Sequence, residues 1–408
     1  MARVTIAWQS EELGTLQHWI APYEAQAPVT ERLEFATNVI TSYSGVEQRN
    51  RIRTAARQEI AINAVVQHRS LMDSYDTPTT GFDESWLVPC WHHAQVVGDL
   101  SASTGTAVPA NTTGFEVNAE AALLYTPCNG WQVHEIFLVS SGLVTLATPV
   151  SADLPGAYLV PCYRGHLLSL RRQSSGRSSI DEYQFRTVKG LRLSEVALAD
   201  QYNGLDVLLD EGLLDGGSSE NAIEQRIEEI DYGIGSAERF SPRRRRNRTR
   251  LNHHVHATTP EEITALRRFV FRCAGRYREF YKPILETSFH LLHEPTDFLL
   301  VNFLVASDSL GAYEYKPDLA IKYTDGTWST YEIASIVTNA GESTITVSGL
   351  INRSAGEIVH VCYLGKFRLG DDTIEFEWLT GRQVRCTLPM VELVPPYDPY
   401  VPPELELG

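Results

Sequence analysis

Polar and apolar side chains alternate with a period of two over several short stretches of the chain. Leu143, Thr145 and Ala147 alternate with Val144, Leu146 and Thr148, and Thr344 to Ser348 repeats the alternation of polar with apolar positions. Both runs are rich in β-branched residues and bounded by glycine, which predicts strands with one covered face. Turn chemistry follows each run, Pro155-Gly156 in one place and Asn352 to Gly356 in the other. Further strands are predicted behind those turns, at Tyr158 to Pro161 and Glu357 to Tyr363. Hairpins of this kind build a sandwich or a small barrel.

A helical period is well marked once. Thr259 offers an N-cap, Pro260 the first helical position and Glu262 a capping-box partner, after which Ile263, Leu266, Val270 and Cys273 form one face and Gly275 can close the helix. A second, acidic helix is expected from Asn221 to Asp231.

The order of these features recurs. Trp131 to Ile136, Gly142, Leu143 to Ala147, Pro155-Gly156 and Cys162-Tyr163-Arg164-Gly165-His166 are answered by Trp328 to Ile333, Gly341, Ser343 to Val347, Ala355-Gly356 and Cys362-Tyr363-Leu364-Gly365-Lys366. Outside this core, Trp86 to Pro89 parallels Phe280 to Pro283, and Ile180 to Phe185 parallels Thr373 to Trp378. The sequence therefore predicts a mainly β protein with minor α, built from tandemly duplicated β-sandwich or barrel modules, each with at most a short helix. The boundaries read as an N-terminal extension over 1–26, a first module over 27–190, a linker over 191–224, a second module over 225–394 and a Pro-rich tail over 395–408. The counterpart of the marked helix, around Val66 to Met72, lacks capping signals and is expected to be a shorter helix or a loop.

Composition narrows the function. At 408 residues the chain is long enough for two or three domains, and 43% hydrophobic with 21% charged residues is a globular balance. Thirty-five basic against 51 acidic residues give a net charge of −16, so nucleic acid is not an expected partner beyond a local contact. The first residues do not read as a signal peptide, and no apolar run approaches the roughly 18 residues of a membrane span. Cys90, Cys128, Cys162, Cys273, Cys362 and Cys386 form no CxxC pair and read as small buried hydrophobes of a chain that folds in a reducing cytoplasm.

Candidate chemistry is sparse. His253, His254 and His256 form an HHxH cluster in which His254 and His256 would share a strand face, but the sequence supplies no obvious third and fourth ligand. His92-His93 is read in the same way, and no metal or other cofactor is expected. Arg243, Arg244, Arg245 and Arg246 form the densest basic run, close behind Glu224, Glu228 and Glu229, which points to a solvated strand face paired with that acidic helix, or to an interface with an acidic neighbouring subunit, more than to a phosphate or nucleic-acid site. Pro395, Pro396, Tyr397 and Tyr400 belong to an extended tail expected to lie on a neighbouring chain. No GxSxG, Walker A, GxGxxG or SxxK motif stands in a suitable setting, and adjacent carboxylates such as Asp371-Asp372 read as turn residues. No enzymatic activity is expected.

Several stretches resemble one family. Val29 to Glu34 followed by Tyr43 to Arg49, Arg51 and Arg53 is similar to the start of distal tail and baseplate proteins of long-tailed bacteriophages, and Asn221 to Gly235 looks like a second such entry point. Leu266 to Pro283 resembles that family's helix, glycine-arginine turn and aromatic-x-x-Pro strand. The resemblance implies a structural ring subunit of the virion tail, assembled in the host cytoplasm, that joins the tube protein to the tip or hub protein and the fibres, with no membrane partner. It further implies a ring of three chains with pseudo-sixfold symmetry, or of six chains. A carbohydrate-binding or adhesin-like module is the alternative, since seven tryptophans on a β scaffold could include a glycan platform.

Overall fold

The computed structural model describes residues 17–18, 28–42, 46–67, 85–112, 114–115, 119–126, 130–140, 142–175, 178–193, 195, 197–209, 221–224, 227–231, 236–240, 248–289, 291–295, 298–301, 318–339 and 342–393. They are mostly strand, in large antiparallel sheets, with one α-helix.

After β1 (Gln17–His18), the first unit runs through β2 (Val29–Glu34), β3 (Thr37–Thr41), β4 (Glu47–Arg51), β5 (Arg57–Gln67), β6 (Ser85–Pro89) and β7 (Gln95–Leu100). It continues with β8 (Thr106–Ala107), β9 (Ala121–Thr126), β10 (Gly130–Ser140), β11 (Leu143–Leu146), β12 (Leu154–Ser175) and β13 (Ser178–Thr187). A small hairpin of β14 (Gln201–Tyr202) and β15 (Leu205–Asp206) follows. The second unit holds β16 (Asn221–Glu224), β17 (Ile227–Asp231), β18 (Ser236–Phe240), β19 (Arg248–Ala257), helix α1 (Pro260–Cys273), β20 (Glu279–Phe289) and β21 (Phe298–Val301). It ends with β22 (Asp318–Tyr323), β23 (Trp328–Asn339), β24 (Glu342–Val347), β25 (Ile358–Leu369), β26 (Thr373–Thr380) and β27 (Gln383–Glu392).

The ladders of the two units share a register. On β10, Trp131 faces Tyr125 and Glu135 faces Ala121; on β23, Trp328 faces Lys322 and Glu332 faces Asp318. Each hairpin then bulges at the same step, between Ile136 and Leu138 and between Ile333 and Ser335. Beyond the bulge Val144 faces Val139 as Ile345 faces Ile336, and both Val144 and Ile345 are fully buried. β2, β5 and β13 recur as β16, β19 and β27: Glu31 faces Ile60, which faces Phe185, just as Asn221 faces Leu251, which faces Met390. The hairpin β3–β4 recurs as β17–β18.

The same registers correct several equivalences expected from sequence. Cys162 faces Ala121, whose counterpart is Asp318, whereas Cys362 faces Ala320, so the two Cys-Tyr-x-Gly stretches stand two residues out of step. A shift of two leaves each side chain on the same face, and for that reason the hydrophobic pattern does not betray it. Leu143 answers Thr344 and not Ser343. Ile180 to Phe185 corresponds to β27, while Thr373 to Trp378 corresponds to the far half of β12: Arg172 faces Asp181 as Phe376 faces Cys386. Gly156 takes a left-handed φ of 58°, but Gly356 lies in a 3-10 turn over Ala355–Glu357.

Helix α1 forms where its caps predict. The Thr259 hydroxyl oxygen accepts from the Glu262 N–H at 3.2 Å, and a Glu262 carboxylate oxygen accepts from the Thr259 N–H at 3.3 Å. The left-handed turn begins at Ala274, φ 52°, one residue ahead of Gly275, φ 68°. A side chain at Gly275 would overlap Asp372 Oδ1 and come within 2.9 Å of Phe35 Cβ, so close approach as well as backbone angle requires glycine here. The helix buries Ile263, Leu266, Phe269, Val270 and Cys273 in the main core, against Leu33, Ile60, Phe185, Ile374, Phe376 and Leu388 from strands of both units.

Within Asn221 to Asp231 the described residues are strand and not helix. They form β16 and β17, because pairing with β19 and β18 overrides a pattern that also fits a helical turn. Val66 and Gln67 end β5, and residues 68–72 lie outside the described residues, as does 210–219. No helix among the described residues is long and apolar enough to cross a membrane.

Candidate assembly site at the seam between the two units

Strand β2 joins the units. It lies between β5 of its own unit and β26 of the other, with Val29 opposite Trp378, Glu31 opposite Phe376 and Leu33 opposite Ile374. One continuous sheet results, in the order β12, β13, β5, β2, β26, β27, β19, β16, in which β12 takes part through its far half.

Period two places Val29, Glu31 and Leu33 together on the inward face of β2, so a carboxylate enters the core. Glu31 is fully buried and meets Arg267 of α1, 2% exposed, at 2.7 Å. Its Oε1 also accepts from Gln58 Nε2 at 2.8 Å, and its Oε2 accepts from Trp378 Nε1 at 3.1 Å. The Arg267 guanidinium lies 5.8 Å from the centroid of the Trp378 ring and 3.3 Å, at Nη1, from His93 Nε2. The rings of His92, His93 and Trp378 pack together with centroids 4.3 to 4.8 Å apart. Burial pushes the His92 imidazole down to about 4, against the pull of Glu31 and aided by Arg267. His93 is also held well below the usual histidine range by burial, then by His92 and Arg267. Desolvation, with Cys162 and Glu31, pushes the Cys90 thiol up.

Glu31, His92 and His93 bring ligand atoms within 4.8 Å of one another, the only such grouping among the described residues. The donor set does not suit a cation: the Glu31 oxygens are occupied, and Arg267 already supplies the positive charge at that point. The cluster is a charge-paired clasp. It ties Glu31, Gln58, His92 and His93 of the first unit to Arg267 and Trp378 of the second.

The rim of the seam carries further ties. Asp372 Oδ2 accepts from the Thr37 N–H at 2.8 Å and Oδ1 from the Arg276 N–H at 2.9 Å. Desolvation works to raise the Asp372 carboxyl, but the hydrogen bonds of Arg276 and Thr37 outweigh it and hold the group below its ordinary value. On hairpin β3–β4, Glu47 pairs with Arg368 and Arg49 with Glu279, both at 2.7 Å. Asp372 is therefore more than the turn residue expected; Asp371 is one, accepting from the Thr373 N–H at 3.1 Å.

The face of the sheet opposite the core is polar about the seam, with Arg32, Glu375, Arg385, Thr387 and His254 exposed, and carries the exposed pair Val65 and Ile180 toward its β5–β13 end. His254 Nδ1 lies 2.9 Å from Thr387 Oγ1, His256 is half-buried on that face, and His253 is buried on the other. Trp131 and Trp328 are both half-buried, and Lys322 Nζ lies 6.0 Å from the Trp328 ring centroid. Cys90, Cys162, Cys273, Cys362 and Cys386 are free and buried. Arg243, Arg244, Arg245, Arg246, Pro395, Pro396, Tyr397 and Tyr400 lie outside the described residues.

Sequence reasoning missed the clasp. Its signal was a glutamate at an inward position between Val29 and Leu33, and an arginine one turn after Ile263 on the apolar stripe of α1: opposite charges on two buried faces. Compared with known proteins, the chain matches no family model and no curated relative.

Proposed function

We propose that this protein is a structural ring subunit of a bacteriophage tail, placed at the distal end where the tube meets the tip or hub protein and the fibres, and that it carries no catalytic site. The observation that supports this reading most is the seam. Two units with the same strand register stand side by side in one sheet, joined by β2 and β26, as neighbouring subunits of a ring would be if a linker fused them. The polar outer face of that sheet about the seam suits a water-filled lumen. Three such chains give six similar positions, so a threefold tip and a sixfold tube could each find matching contacts.

A glycan-binding role has less support. Trp131 and Trp328 hold matching ladder positions and are half-buried in both units, as structural residues of a repeated hairpin would be. Negative-stain imaging of the full chain is expected to show closed rings with three- or six-fold averages. A chain that stays monomeric within intact tails overturns the proposal.

A further inference from the structure

On the face of the first unit's sheet turned away from the core of Leu124, Val144 and Leu159, aromatic rings stand in line. Trp131 of β10 faces Tyr125 of β9, Tyr125 faces Tyr158 of β12, and Tyr158 faces Val96 of β7. The Tyr125 and Tyr158 rings lie 6.4 Å apart, and Trp91 supports Tyr125 edge-on at 5.8 Å. Tyr158 is 38% and Val96 62% exposed, so the row meets water. Beside it, at Gly130 and Gly98, an added Cβ would touch nothing within 4 Å. The equivalent row of the second unit reads Trp328, Lys322 and His360. Trp131 therefore keeps a place that both units share, whereas Tyr125 and Tyr158 are aromatic in one unit alone, which the repeated hairpin does not require.

The same chain carries a ligand that matches the row. Residues 394–408 lie outside the described residues, and their sequence repeats proline at every third position, at Pro396, Pro399 and Pro402. A polyproline II helix turns once in three residues, so these prolines fall on one face, about 9.3 Å apart at about 3.1 Å per residue. Two strand spacings of about 4.8 Å, about 9.6 Å together, separate the slot between Trp131 and Tyr125 from the slot between Tyr158 and Val96. Successive prolines thus meet successive slots. Aromatic-lined grooves take extended proline segments in this way, with indole and phenol donors offered to carbonyls that the helix leaves without internal partners.

The linker between the units marks a path to this face. The Val188 N–H donates to the Arg164 carbonyl as the Leu393 N–H donates to that of Lys366, so the two units end alike. Past Val188 the chain reaches the following unit, where Tyr202, Leu205 and Val207 pack with Tyr281, Ala320 and Leu364, the equivalents of Leu87, Leu123 and Cys162. In the first unit that place on β6 is held by β1, and the aromatic row lies beyond it along β12. Pro396 to Pro402 stand closer to Leu393 than Tyr202 stands to Val188. Resting on the ring reading above for the neighbour, we infer that Pro396 to Pro402 of one chain docks as a polyproline II helix on the row Trp131, Tyr125, Tyr158 and Val96 of a second copy. The fixed backbone of such a segment keeps the ordering cost of docking small.

The test uses a fluorescent peptide of Val394 to Pro403 and a full chain whose own tail is disabled by Pro396→Ala, Pro399→Ala and Pro402→Ala. Saturable binding is expected by anisotropy. Tyr125→Lys with Tyr158→His gives the row the residues the second unit carries there, and is expected to weaken binding at least about tenfold with an unchanged urea melt. A peptide bearing the three proline-to-alanine changes is expected not to bind. No binding of the parent peptide, or binding that survives either set of changes, overturns the inference; binding of an oligosaccharide in place of the peptide overturns it in favour of a glycan platform. The source of the tail is read from mixed chains bearing Val96→Cys or Val401→Cys and bridged by a flexible bismaleimide, which are expected to give a species of two chain masses. A bridge that forms only when both changes are on one chain overturns the assignment to a second copy. Closed rings without peptide binding overturn the inference and leave the ring reading in place, whereas peptide binding by a chain that forms no rings supports the inference and overturns the ring reading.

Discussion

At one ladder position the two units hold opposite chemistries. In the first, Arg172 faces Asp181 and the guanidinium binds both carboxylate oxygens, at 2.8 and 2.6 Å; in the second, Phe376 faces Cys386 and both are buried. Phe376 lies beneath the seam, opposite Glu31 on β2. Arg172 lies on the last described strand of the sheet, its side chain 13% exposed. A site covered by a neighbouring strand favours an apolar pair, whereas one near the sheet edge tolerates an ion pair because the arginine keeps part of its hydration. The repeated backbone thus carries an apolar pair where a strand of the chain covers it and an ion pair where the arginine keeps part of its hydration.

The largest effect is expected where charge is buried under the seam. Glu31→Ala or Arg267→Ala should each lower unfolding stability by about 3–5 kcal/mol, because the remaining charge loses its partner in the core. Glu31→Leu combined with Arg267→Met should recover most of that loss in urea melts; failure to recover would mean that the ion pair is needed for the fold itself. Phe376→Ala should cost about 3–4 kcal/mol through the cavity it leaves. The matched change in the other unit, Arg172→Met with Asp181→Leu, should stay within about 1 kcal/mol of the parent. Equal losses at the two places would erase the comparison.

Acidity probes the same contrast. Burial lowers His92 to about 4 in the folded protein, against an ordinary value of 6.5. The unfolded state therefore takes up its proton first, and the contribution of neutral His92 to stability, complete above about pH 6.5, falls away as pH drops toward 4. His92→Phe should flatten that part of the stability profile. The smallest effect belongs to the cap of α1: Thr259→Ala should cost about 1 kcal/mol in the same melts.

Local features of the fold were legible. The alternation at Leu143 to Thr148, the capping box at Thr259 and Glu262, and the recurrence of Trp131 as Trp328 depend on neighbours in sequence, and the strands and helix lie where those signals put them. Register was not legible, because a two-residue slip between the Cys-Tyr-x-Gly stretches preserves every inward and outward position. The stretch from Asn221 to Asp231 carries Ile223, Ile227 and Ile230 at spacings that satisfy one face of a helix, and only its pairing with β19 and β18 decides for strand. The clasp depends on Glu31 and Trp378 meeting across 347 residues, a contact no local pattern announces.

That separation also sets an order in time. β2 leaves the ribosome well ahead of its outer partner β26, and the Thr37–Asp372 tie spans 335 residues. The entropic penalty for closing so long a loop grows only with the logarithm of its length, so the finished seam is not weakened by distance. Its formation is delayed all the same, since non-local strand pairing is slow. Until synthesis reaches Thr373, the nascent first unit presents β2 without the strand that covers its outer edge in the finished protein. During that interval a polysome carrying several nascent chains is where mispairing is most probable, and chaperone cover of β2 matters most then.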